Sequence, residues 1–114
     1  MPDIEFDLPP ALASTFQQRR STVISAAEAA IASGEHEAVQ FFAEHHLEEV
    51  EEWPGKSPSS PADVIGMLRL QSIWGDEDDQ AVTLDFGIGE DVSHYVVSVT
   101  FDSAWEIEAV EMES

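Results

Sequence analysis

His36, His45, His46, Glu48 and Glu49 are the residues whose types and spacing come nearest to a reactive site in this sequence. His45 and Glu49 stand at i and i+4, so a helix would place both on one face, a spacing that suits two ligands of one divalent metal. His36 is the further donor for such a site, and the set His36, His45 and Glu49 would make the chain a small metal-assisted enzyme. The face that carries His45 and Glu49 holds no third ligand of its own. His46 falls in step with apolar neighbours, where a partly buried, hydrogen-bonded imidazole is the ordinary reading.

Asp76, Glu77, Asp78 and Asp79 form a carboxylate-dense turn that resembles an incomplete calcium loop, without the glycine at the turn or the bidentate Glu that closes such a loop. A solvated hairpin turn explains them better. No Gly-x-Ser-x-Gly, no phosphate-binding glycine loop and no His-Glu-x-x-His is present, and Gly87-Ile88-Gly89 lies between two strand-like runs where a helix N-terminus for phosphate is lacking. With 24 Asp and Glu residues, paired acids arise by chance, so none is singled out for acid–base work. The sequence is read as non-catalytic and without a cofactor.

Charge is the extreme feature: 24 carboxylates against 4 Lys and Arg give a formal net charge of −20. Direct nucleic-acid binding needs Lys and Arg to release counterions, and anionic membrane surfaces repel such a chain, so neither is an expected ligand. A basic protein is the partner this field favours, and maintenance of solubility or adaptation to a salty host is the competing use of it. Two groups of acids are candidates for contact. Glu48, Glu49, Glu51 and Glu52 crowd the end of a predicted helix, where the helix dipole already places negative charge, so each costs a few tenths of a kcal/mol and stability did not select them. Asp85, Glu106 and Glu108, with Thr83, Ser98 and Thr100, alternate against apolar residues and are expected on the solvent side of a sheet.

The elements that must position these groups are read from periodicity. Leu12, Phe16, Val23, Ala27 and Ile31 share one helical face from about Pro10, and Ser33-Gly34 ends that helix. A second helix is predicted from about Glu35 to Trp53, buried along Val39, Phe42, Ala43, His46, Val50 and Trp53, with Phe41 about 200° away from that stripe. Residues 54–61 read as an internal Ser/Pro loop, in which Ser60 caps a short third helix with Pro61 at its first position and Asp63 in its first turn. The period then changes to two. Strands are expected around Leu70, Ser72 and Trp74; around Val82, Leu84, Phe86 and Ile88; around Tyr95, Val97, Val99 and Phe101; and around Trp105, Ile107 and Ala109. Residues 3–10 alternate acidic and apolar before Pro9-Pro10 and are expected as an extended arm rather than a strand.

The reading is one α+β domain over residues 1–114: two main N-terminal helices and a short third helix packed on one face of a four-stranded antiparallel meander. With no cysteine, no basic leader before an apolar core at Met1 and no apolar run near the ~20 residues that cross a bilayer, a cytoplasmic location is expected. The last strand, with its alternating Glu residues, is expected at a sheet edge, and the sequence leaves open whether copies dimerise through it.

Leu84-Asp85-Phe86, Val99-Thr100-Phe101-Asp102 and the closing Met112-Glu113-Ser114, with an echo in Ala26–Ile31 and Val39–Glu49, resemble an uncharacterised bacterial family of small acidic proteins over roughly residues 20–114. The resemblance implies an architecture and no activity. By analogy with small acidic bacterial proteins that are immunity partners of toxins, the chain is expected to be an immunity-like or nucleic-acid-mimic-like binding module for a basic macromolecule.

Overall fold

The computed structural model describes residues 4–49, 53, 57–89 and 92–113. Helix α1 spans Pro10–Ser33, α2 spans Glu37–Glu49 and α3 spans Pro61–Met67. Strands β1 (Glu5–Asp7), β2 (Arg69–Asp76), β3 (Ala81–Gly87), β4 (Val96–Phe101) and β5 (Ile107–Glu113) form one sheet in that order, β1 parallel to β2 and the other neighbours antiparallel. The class is α+β with a five-stranded mixed sheet.

Local chemistry sets the helix ends. Pro10 needs no hydrogen bond for its missing N–H in the first turn of α1, and Gly34 closes the helix in the left-handed region, φ 66°, its N–H donating to the Ile31 carbonyl at 3.2 Å. The Ser60 hydroxyl accepts from the Asp63 N–H at the start of α3, and the Asp63 carboxylate accepts from both the N–H and the hydroxyl of Ser59. Arg69 donates to the carbonyls of Gly66 and Leu68 at 2.7 and 2.9 Å, placing a cation at the helix end that carries partial negative charge.

Leu12, Phe16, Val23, Ala27 and Ile31 of α1, with Val39, Phe42 and Ala43 of α2 and Val64 of α3, are all buried against Ile73, Val82, Leu84, Phe86, Val97, Val99 and Phe101 of the sheet. These strand residues share one face, so the helices cover that face and the opposite one lies outside the core.

Three expectations are corrected. Residues 5–7 form a strand rather than a free arm, because Glu5, Phe6 and Asp7 find the edge of β2 opposite Ser72, Ile73 and Trp74. That makes the sheet mixed and five-stranded instead of a four-stranded antiparallel meander. In β2 a bulge at Gln71, between the Leu70–Phe86 and Ser72–Asp85 pairs, reverses the alternation, so Ile73 points inward while Ser72 and Trp74 point outward. The fourth meander strand also begins later than expected, at Ile107. Asp102 organises the preceding turn, its Oδ1 accepting from the N–H groups of Ala104 and Glu106 at 2.9 and 3.0 Å. Trp105 sits in that turn at φ 63°, its ring 6.3 Å from that of Phe16. A bulge after Thr100 then leaves Val110 and Met112, not Ile107 and Ala109, packed on the core.

Candidate functional site

The uncovered face of the sheet is built from residues that the two bulges and the pleat turn away from the helices. Asp85 stands at its centre, on β3. Its Oδ2 accepts from the Ser72 hydroxyl at 3.0 Å and from the Trp74 indole N–H at 2.9 Å, and its Oδ1 accepts from the Ser98 hydroxyl at 2.6 Å. Thr83 and Thr100 are joined by a 3.0 Å hydrogen bond across β3 and β4. These bonds fix a polar ladder, and Trp74 lies on it with 45% of its surface exposed. An indole on the solvent side of a strand presents its π face to cations while its N–H is already engaged.

Two shallow depressions flank the row Trp74, Thr83 and Thr100, with volumes of about 590 and 560 Å³. Asp76, Asp79, Asp102 and Glu108 supply the carboxylates of one; Asp85, Glu111 and Glu113 supply those of the other, with His94 beside them. Glu5 and Asp7 extend the same face along β1, in register with Ser72 and Trp74. Among the described residues neither depression has a Lys or Arg in its lining. The face can therefore accept cations: a guanidinium stacks on an indole and forks onto carboxylates, whereas an ammonium takes one oxygen at a time.

Of the acids picked from sequence, Asp85 and Glu108 lie on this face. Glu106 does not alternate along the strand; it belongs to the Asp102 turn. Glu48 is exposed on α2, in the helical layer that covers the other face of the sheet. Glu51, Glu52 and the side chain of Glu49 lie outside the described residues. Sequence reading passed over Trp74, Glu111 and Glu113. The signal that would have found the two Glu residues was the alternation of Val110 and Met112, masked by Ile107 and Ala109 just ahead of them.

Of the candidate histidines only His45 and His46 lie on α2. His36 precedes the helix, its carbonyl accepting from the N–H groups of Val39 and Gln40, and His45 follows nine residues later, about 13 Å along the axis. The His45 ring lies among those of Phe41, His46 and Tyr95 at 6.3, 5.0 and 5.2 Å. Among the described residues no group of three His, Asp or Glu side chains is placed to hold a metal ion. In the acidic turn Asp76 Oδ1 accepts from the Asp78 N–H at 2.8 Å.

His46 is fully buried with both nitrogens bonded. Nδ1 must carry the proton it gives to the Phe42 carbonyl at 2.7 Å, so Nε2 of the neutral ring accepts from the Ser93 hydroxyl at 2.7 Å. Ser93 Oγ also accepts from the Tyr95 N–H at 3.0 Å. Burial lowers the His46 pKa below its usual 6.5; the Phe42 carbonyl opposes that shift, and His45 adds to it. The pair thus latches the β3–β4 connection onto α2 through a neutral imidazole.

Fold and site together define an α+β domain with one sheet face covered by helices and the other, among the described residues, without a covering element, its exposed Glu108, Glu111 and Glu113 lying beside Thr83 and Ser98, which are themselves buried. Comparison with family models, with curated proteins and with solved structures gives no match to this chain. Among the described residues no helix is long and apolar enough to cross a membrane.

Proposed function

We propose that this protein is a non-catalytic acidic binding module that takes a basic protein on the uncovered face of its sheet. The observation that carries the reading is the exposed indole of Trp74, held by Asp85 between two carboxylate-lined depressions whose described lining residues include no Lys or Arg. Arg or Lys side chains of a partner would meet both a π face and carboxylates there, and the −20 charge would steer encounter and make affinity fall with salt. An immunity-like or nucleic-acid-mimic-like role, and membership of the small acidic bacterial family that the C-terminal half resembles, belong to this same proposal.

The test uses an arginine-rich peptide as probe, with affinity followed by fluorescence anisotropy across a salt series. The variant Glu108→Gln/Glu111→Gln/Glu113→Gln, combined with Trp74→Leu, is expected to bind at least about tenfold more weakly, and Glu44→Gln/Glu48→Gln on the helical layer to stay within about twofold. Equal affinity of the sheet-face variant and the unaltered protein would overturn the proposal.

A further inference from the structure

β5 ends the sheet. It is hydrogen-bonded to β4 along one side, and no described strand pairs with its other side. The opposite edge, β1, has only 3 residues, whereas β5 has 7, so β5 is the longer edge with no described strand on its outer side.

Its two faces differ in chemistry. Glu111 and Glu113 stand opposite Ser98 and Val96 on the uncovered face, while Val110 and Met112 stand opposite Val99 and Val97, half-buried against the core. A strand laid along this edge would place one set of its side chains beside the two carboxylates and the alternate set beside the two apolar residues. An extended segment alternating Lys or Arg with apolar residues fits both. A second copy of this chain fits poorly, because it would join two −20 chains and bring their carboxylate rows onto one continuous face.

We infer that β5 is a docking edge at which the basic partner adds an extended strand, its cations beside Glu111 and Glu113 and its apolar residues covering the flanks of Val110 and Met112. This rests on the proposed function and adds the mode of contact. Main-chain hydrogen bonds would supply affinity, and the alternation would supply specificity.

The probe is a peptide of alternating Val and Lys about as long as β5, with a control of the same composition in which the valines and lysines form two blocks. Binding is followed by anisotropy and by amide hydrogen exchange of residues 107–113. The alternating peptide is expected to slow exchange of the edge amides of β5 about tenfold or more, and the block peptide to leave them unchanged. Binding without protection of β5 would overturn the edge mode while leaving a cation-binding face intact. Failure of both peptides to bind at low salt would overturn both readings, and loss of a monomer signal without peptide would assign the edge to a second copy instead.

Discussion

The indole N–H of Trp74 donates to Asp85 at 2.9 Å, tying an exposed aromatic ring on β2 to a carboxylate at the centre of β3. One bond does two things: it satisfies a donor that would otherwise need water, and it ties the ring by its N–H edge to the polar ladder while 45% of the residue stays exposed. A large aromatic side chain on the solvent side of a strand gains little from burial. This one is oriented by its acceptor.

Removal of that acceptor is expected to be costly. Asp85 serves Ser72, Trp74 and Ser98, so Asp85→Ala should lower stability by about 2–3 kcal/mol, and Trp74→Phe, which loses a single bond, by about 1 kcal/mol. Urea unfolding of both variants and of the double variant is the measurement. The double should cost less than the sum of the singles, since both remove the same bond.

The latch between His46 and Ser93 predicts a pH dependence with a definite sign. The unfolded chain takes up a proton at His46 near pH 6.5, whereas the folded chain resists it because burial lowers the folded pKa. Between those two values the unfolded state binds more protons, so this contribution to stability is intact above about pH 6.5 and is lost as pH falls toward the folded pKa. It changes by at most about 1.4 kcal/mol per pH unit. The difference in unfolding free energy between the unaltered protein and His46→Gln should therefore shrink over that window; a constant difference would contradict a neutral buried imidazole.

At the start of α3, Ser60→Ala should cost about 1 kcal/mol through loss of the N-cap. Asp63 is a separate case. Hydrogen bonds from the Ser59 N–H and hydroxyl, followed by those from Ser60, lower its pKa, so its contribution is present above about pH 3.8 and disappears as pH falls through the lowered value. Thermal unfolding of Asp63→Asn between pH 3 and 6 should show a smaller acid-induced decline than the unaltered chain.

Gly75 has no room for a side chain. A Cβ there would lie 2.7 Å from the Ala81 carbonyl oxygen and 2.7 Å from Leu8 Cδ2. The leucine can move, but the carbonyl belongs to the neighbouring strand. Gly75→Ala should destabilise by about 1–3 kcal/mol in urea unfolding, whereas Gly66→Ala, with open space around it, should not clash.

Much of this architecture is legible in residue order because helices and their caps are local. The apolar spacing from Leu12 to Ile31, Gly34 past the end of α1, and Ser60-Pro61 with Asp63 at the start of α3 each specify backbone geometry within a turn or two, and the α+β class follows from the change of period near Leu68. His46 was placed correctly for the same reason, since it shares the buried stripe with Val39, Phe42 and Ala43. The composition likewise fixes the −20 charge and the surplus of carboxylates over cations.

What tertiary structure decided is which side of the sheet each residue faces and which strands meet. A bulge adds one residue to a strand and reverses everything beyond it, and nothing in the order Leu70-Gln71-Ser72 or Ile107-Glu108-Ala109 announces one. The cost of burying Ser72 and Trp74, against the gain from burying Ile73, is settled only when the core is assembled. β1 exists because the edge of β2 is there to pair with it, a contact more than sixty residues away in the chain. The acidic face that carries Asp85 at its centre and Trp74 beside it is the sum of these non-local choices, and so only the folded chain displays it.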